Sequence, residues 1–273
     1  PGGAMSVAKA AEEFGVLSYL SSVTRPGIEE IAAETKHDKV FQLYVRGDRA
    51  WIGDIVNKAI DLGYIHFCLT IDVALYSRRE RDLIKRYQPS GRARNNEGWD
   101  FQAALNWDLV KWFKDTWDLP LILKGIATAQ DAALCVEHGV EVVYVSNHGG
   151  RQLDHGRGTI DMLPEIVKEV NGHAEIVVDG GFCRGADIVK ALARGADAVA
   201  IGKIQGLGLA ADGEAGVHRV LELLEIEINT VMGLLGLDSL DKLSEQFLEP
   251  AQPVVTPGVL SAFPFLNLPS QEY

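Results

Sequence analysis

The feature that most constrains this 273-residue chain is its rhythm, in which a short apolar run is followed by an amphipathic stretch, again and again. Seven runs read as strands: VLSYLSS (16–22), KVFQLYV (39–45), YIHFCLTID (64–72), PLILKGI (120–126), VEVVYVSN (140–147), AEIVVDGG (174–181) and ADAVAIGK (196–203). Nearly every position in them is apolar, the signature of strands covered on both faces. Between them, GIEEIAAET, DRAWIGDIVNKAIDLG, TAQDAALCVEHG, IDMLPEIVKEVNG and RGADIVKALARG carry helical periodicity, and several end at Gly, a helix-terminating residue. The repeat is about 22 to 34 residues, the length of one βα unit. One step is about twice as long. Its excess, 77–108, is polar and turn-rich in the middle, as expected of a lid or binding loop.

Such repetition demands a parallel sheet, either closed into a (β/α)8 barrel or open and doubly wound. The regular spacing favours the barrel, which needs eight strands where seven are visible. A helical segment, AMSVAKAAEEFG (4–15), already precedes the first run, so the expected eighth strand falls before Pro1. A doubly wound sheet would need no eighth. After the last run come a helix, GEAGVHRVLELLEIEINTVMGLLG (213–236), and a Pro-rich irregular tail, 250–273, so that 1–249 reads as the barrel domain.

Composition narrows the partners. Lys and Arg number 26 against 38 Asp and Glu, a net charge of −12, which disfavours nucleic acid and anionic membrane surfaces. The three Cys are far apart and form no CxxC, which argues against a disulfide framework or structural zinc and suits a reducing compartment. No apolar run approaches the roughly 18 residues of a membrane span, and the first residues do not resemble a signal peptide. The expectation is a cytoplasmic α/β protein.

In a parallel barrel the reactive groups sit at the C-terminal ends of strands. Those ends carry Ser21 and Ser22, Gln42 and Tyr44, Thr70 and Asp72, Lys124, Ser146, Asn147 and His148, Asp179, Gly180 and Gly181, and Gly202 and Lys203. Polar strand ends are common because they meet solvent, but a Lys, a His and Asp residues on one rim suggest chemistry. In VSNHGGRQLDHG (145–156), His148 and Arg151 follow a strand end; a neutral His can take a proton and an Arg can grip a carboxylate with two bonds. A lone His is more often a surface or core residue. Arg78 and Arg79, in the charge run RRERDLIKR, read on their own as a solvated face. Glycines in DGGFCRG (179–185) and AIGKIQGLGLAADG (200–213), with Arg184 and Lys203, suit a phosphate at two neighbouring strand ends. No GxGxxG or GxxxxGK[ST] is present, and His66, His138, His155 and His173 have no metal-like spacing, so no metal is expected.

Taken in order, FQLYV, LT-x-D followed by RRE, LKGI, SNHGGRQLD and DGG-x-x-RG resemble the FMN-dependent α-hydroxy acid oxidases and dehydrogenases, over about Ala4 to Leu243. The resemblance implies an FMN-binding TIM barrel that oxidises a small L-2-hydroxy acid, with O2 or another electron acceptor completing the cycle, and a possible homotetramer. It implies that His148 is the base, Asp72 its electrostatic partner, Arg151 and Arg79 the carboxylate clamp, and Tyr44 a bond to substrate oxygen. Ser21, Gln42, Thr70 and Ser146 would bind the isoalloxazine, Lys124 would lie near its N1–C2=O edge, Asp179 would meet the ribityl chain or nearby backbone, and 77–108 would be the mobile active-site loop. Gly180, Gly181, Arg184, Gly202 and Lys203 would hold the phosphate end.

The sequence departs from the family pattern in three places. The usual DGG-x-R-R-G carries Cys183 in place of its first Arg, with Arg184 a candidate substitute, and the usual Gly-Arg is Gly202-Lys203. A strand and an upstream Tyr that family members use against the flavin would precede Pro1. A barrel of this family that binds FMN weakly and does no chemistry is therefore the alternative expectation. An FMN- or phosphate-binding isomerase fits less well, because a base with two carboxylate-clamping Arg suits a 2-hydroxy acid.

Overall fold

The computed structural model describes residues 2–75, 77, 84–86, 98–153 and 155–250. Seven strands, β1 (Ser18–Ser21), β2 (Lys39–Leu43), β3 (His66–Thr70), β4 (Leu121–Ile126), β5 (Val142–Val145), β6 (Glu175–Val178) and β7 (Ala198–Val199), form one sheet in chain order, every neighbouring pair parallel. Sequential parallel order with helical returns is the winding of a TIM barrel. Each expected strand is present, and all but β4, which runs to Ile126 as expected, stop short of the C-terminal end of the apolar run. There the backbone leaves the ladder for turns that carry the polar residues.

Helices α1 (Ala4–Phe14), α2 (Ile28–Glu34), α3 (Arg49–Asp61), α4 (Trp99–Ala103), α5 (Trp107–Thr116), α6 (Ala129–Glu137), α7 (Thr159–Val170), α8 (Gly185–Ala193) and α9 (Lys203–Leu235) cover the outside. Side chains of Asp48, Asn106 and Thr128 accept from backbone N–H groups in the first turns of α3, α5 and α6, satisfying donors that a helix start leaves free. The sequence places a helix at 213–236. It is the second part of α9, whose backbone breaks at Asp212 and Gly213. Helix α4 falls within the 77–108 excursion, most of which, including Arg78 and Arg79, lies outside the described residues, as does the tail beyond Pro250.

Alternation along each strand divides the core in two. Leu20, Phe41, Leu43, Phe67, Leu69, Leu121, Leu123, Val143, Val145, Ile176 and Val178 point outward into the layer shared with the helices. The intervening residues, Val40, Cys68, Ile122, Val142, Tyr144 and Val177, form a smaller core inside the curl of the sheet, with Tyr19 and Ala200 against it. Among the described residues β1 pairs with β2 alone and β7 with β6 alone. Helix α1 packs along α9 across that interval. A cavity of about 960 Å³ runs from the inner core outward between these helices, lined by Phe14, Tyr19, Tyr144, Val177, Leu224 and Met232 among others.

Candidate active site

The inward register that buries the small core continues past it to the rim. Two residues beyond Tyr19 is Ser21, beyond Val40 is Gln42 and then Tyr44, and beyond Cys68 is Thr70 and then Asp72. On the later strands the same step leads from Ile122 to Lys124, from Tyr144 to Ser146 and from Val177 to Asp179. Side chains expected to meet cofactor thus occupy the inner face at one end of the sheet. Gln42 Nε2 donates to Thr70 Oγ1 at 2.6 Å, and Lys124 Nζ donates to Ser146 Oγ at 2.9 Å.

Lys124 is only 8 % exposed. Its ammonium lies 3.6 Å from Asp179 Oδ2 and 5.2 Å from the centre of the Tyr144 ring, contacts that offset part of the cost of burying a charge. Beneath it the inner core stays uncharged. Burial pushes the Cys68 thiol up to about 12 and the Tyr19 phenol well up, and burial with the nearby Asp179 carboxylate pushes Tyr144 far above its ordinary range.

Beyond Ser146 the chain turns sharply. His148, Gly149 and Gly150 all have positive φ, at 57, 67 and 70°. For His this is a sparsely populated conformation, and such strain persists where surrounding bonds over-determine it. Here the His148 N–H donates to Ser146 Oγ at 3.1 Å, and the Gly150 N–H to Asn147 Oδ1 at 3.1 Å. The turn brings His148 Nδ1 to 3.0 Å from Asp72 Oδ1, with the two side chains 17 % and 12 % exposed. Tyr44 flanks the pair, its ring centre 6.5 Å from that of His148. Arg151 is exposed on the same turn, and its carbonyl accepts from Ser77 Oγ.

Three supporting residues carried no assigned role from sequence. Gly125 has φ 116°, and a Cβ there would lie 2.7 Å from Asp72 Cβ, so this position must be Gly for Asp72 to sit where it does. Gln152 Nε2 donates to the carbonyls of Asp72 (3.3 Å) and Leu75 (3.0 Å), tying the His148 turn to the end of β3. Gln102, buried on α4, receives the Val45 N–H and donates to the Thr70 carbonyl, bridging the ends of β2 and β3. The LKGI motif contained Gly125, but the close approach of Asp72 is a tertiary contact.

At the other side of the rim, Gly180 and Gly181 turn the chain after β6 with φ of 105 and 84°. A Cβ at Gly181 or Gly202 would meet no atom within 4 Å, so both turns front open space. Lys203, the first residue of α9, donates from Nζ to the Gly149 carbonyl at 3.2 Å. Arg184 lies apart from this, paired with Glu227 of α9 at 3.1 Å.

The profile of the FMN-dependent dehydrogenase family matches residues 1–250. The chain belongs to the FMN-dependent 2-hydroxy acid oxidoreductases. It is 39 % identical over 272 residues to an L-lactate oxidase from Nostoc sp., a match covering 90 % of this chain and 74 % of that one. With the glycolate oxidase of Spinacia oleracea the identity is 37 % over 269 residues, covering 91 % and 73 %. Among solved structures, a soluble mutant of the (S)-mandelate dehydrogenase from Pseudomonas putida matches with a TM-score of 0.82 at 35 % identity, covering 90 % of this chain and 74 % of that one. A mandelate oxidase with (S)-2-phenylpropionate matches with a TM-score of 0.80 at 38 % identity, covering 88 % and 71 %.

The family's cofactor is FMN, and the rim fits it. Asp72 Oδ2 and Asp179 Oδ1 are buried without a hydrogen-bond partner among the described residues, which leaves acceptors for a ligand. The Lys124 ammonium, the Gln42 and Thr70 pair and the open glycine turns supply the donors, cation and close backbone approach that a flavin and its phosphate require. Among the described residues no group of His, Cys, Asp and Glu could hold a metal ion, and no helix is long and apolar enough to cross a membrane.

Proposed function

We propose that the chain oxidises a small L-2-hydroxy acid to the 2-oxo acid, with His148 as the base. The observation that carries this reading is the His148–Asp72 pair, held beside Tyr44 on the rim that also bears the buried Lys124. His148 Nδ1 is taken up by Asp72, so Nε2 is the nitrogen left to receive the proton of the substrate hydroxyl. As that proton arrives the ring becomes an imidazolium, and the carboxylate 3.0 Å away stabilises the charge. Arg151, with Arg79, fixes the substrate carboxylate, and Tyr44 bonds to a substrate oxygen, which orients the Cα–H bond.

Bound FMN supplies the two-electron acceptor. Gln42, Thr70, Ser21 and Ser146 would hold its ring by hydrogen bonds, and Lys124 would set a positive charge beside the ring edge that gains electron density. Asp179 would receive the ribityl chain, with Gly180, Gly181, Gly202 and Lys203 at the phosphate. O2 or another acceptor would then take the electrons.

The test is the visible spectrum of the chain with FMN, followed anaerobically during addition of L-lactate, glycolate or L-mandelate. Bleaching by one of these supports the reading. Bound flavin that none of them bleaches overturns the substrate class. His148→Gln should retain flavin and lose nearly all bleaching, and reduction at the parent rate would remove His148 as the base.

A further inference from the structure

At the rim, β2 and β3 are joined through a side chain instead of backbone. Their parallel register pairs Gln42 with Cys68 and Leu43 with Leu69, and there the ladder stops. In that register the next rung would carry the Val45 N–H to the Thr70 carbonyl. One amide stands between those two groups. Gln102 Oε1 accepts from the Val45 N–H at 2.6 Å, and Gln102 Nε2 donates to the Thr70 carbonyl at 2.6 Å. The strands keep their bonding pattern but are held one amide further apart. The opening is local to this interval. At the same level the Ser22 N–H still donates to the Gln42 carbonyl at 2.8 Å, and the Ile71 N–H to the Lys124 carbonyl at 2.9 Å.

The spacer is fixed from two sides. Gln102 is 1 % exposed with its amide oxygen and nitrogen both bonded, so moving it would leave buried backbone groups unpaired. Its helix, α4, is also seated on the end of β2. The Arg46 guanidinium lies 3.4 Å from the centre of the Trp99 ring, and a Cβ at Gly98 would lie 2.5 Å from the Arg46 carbonyl. What the interval separates is the reacting groups. Tyr44 leaves β2 directly before Val45, and Asp72 leaves β3 two residues after Thr70. The Tyr44 ring centre stands 6.5 Å from that of His148, which Asp72 holds.

We propose that Gln102 is a positioning residue for the oxidation. Its amide, inserted in the β2–β3 ladder, sets the spacing between Tyr44 and the Asp72–His148 pair, so that phenol and imidazole reach the same substrate. This rests on the functional reading above, in which Tyr44 bonds to a substrate oxygen. Gln102 acts through Tyr44 and leaves the bond between His148 and Asp72 as it is.

The test is a double-mutant cycle read by anaerobic flavin reduction, using whichever of L-lactate, glycolate or L-mandelate bleaches the parent. Gln102→Met keeps most of the bulk and removes both bonds. It should slow reduction at low substrate about 10-fold, the worth of one substrate hydrogen bond put out of reach. In a Tyr44→Phe background the same change should cost less than about twofold, and in an Asp72→Asn background it should cost the full factor. A second readout needs no turnover. The Kd of the corresponding 2-oxo acid, read from its effect on the oxidised flavin spectrum, should rise in Gln102→Met and rise no further in the Tyr44→Phe background. If Gln102→Met does not fold, Gln102→Asn, whose amide is one methylene too short to span both partners, goes through the same cycle with the same expectations. Equal losses in the Tyr44→Phe and Asp72→Asn backgrounds overturn the assignment, because they mean support of the fold at large. So does reduction of the Gln102 variant at the parent rate. Either result, with a parent that is reduced normally, refutes the role of Gln102 alone. A parent whose bound flavin none of the three acids reduces refutes the functional reading, and this assignment falls with it.

Discussion

Replacing Asp72 with Asn removes one charge from the site and almost no volume, so its effect can be worked from the structure. Asp72 Oδ1 is 3.0 Å from His148 Nδ1, with both side chains more than four-fifths shielded from solvent. At an effective dielectric of about 20, unit charges at that distance attract by about 5 kcal/mol. The imidazolium charge is shared with the remote nitrogen, and the amide oxygen of Asn recovers a dipolar fraction. The net loss is then about 3 kcal/mol, appearing only once the proton has been taken up, which is about 100-fold in rate. Stopped-flow reduction of the bound flavin under saturating 2-hydroxy acid, without oxygen, reads this directly. Asp72→Asn should bind flavin normally, reduce it about 100-fold more slowly, and show little change in the substrate concentration giving half-maximal rate. Reduction within about threefold of the parent would refute the reasoning, as would a loss confined to substrate affinity.

Three further outcomes follow from the same geometry. Gly125→Ala forces a Cβ to within 2.7 Å of Asp72 Cβ at φ 116°; strain of about 2 kcal/mol should lower Tm by about 4–8 °C and slow flavin reduction, and an unchanged Tm would contradict the close approach. Cys68 and Cys135 are fully buried with thiols pushed up to about 12, whereas Cys183, its thiol also raised by burial, is only half-buried, so thiol titration of the native chain should find one accessible, slowly reacting group that Cys183→Ser abolishes. His37 is held below its ordinary value of 6.5, first by burial and then by Lys39; the unfolded chain therefore binds the proton more readily, and the contribution present above pH 6.5 is lost as pH falls through the lowered value. Urea unfolding across that range should show the parent losing stability relative to His37→Gln, and parallel curves would refute it.

Much of the site was legible because a parallel barrel turns strand alternation into geography. Once 39–45, 64–72 and 140–147 are read as strands, period two alone puts Gln42, Thr70 and Ser146 on the face opposite Phe41, Leu69 and Val145. The pairing of His148 with Asp72 spans 76 residues, and what announces it is the motif, not the periodicity. Gly125 could be seen as a strand glycine, the usual mark of a close backbone approach, yet what approaches is fixed only by the register of β3 against β4.

Glu227 was beyond reach for a different reason. It sits in a long acidic helix beside Glu222 and Glu225, where the sequence pattern describes an ordinary solvated face. Only the packing of α9 on Gly185 selects it from its neighbours and turns it toward Arg184. The same packing changes what the DGG-x-x-RG motif means. Read along the chain, Arg184 is a cation next to a glycine turn and hence a phosphate ligand. Read in space, its charge is already met by Glu227 and its backbone N–H by Asp187. A motif records which residue types a site has used, whereas the partner each one has in the fold determines which of them are still available to a ligand.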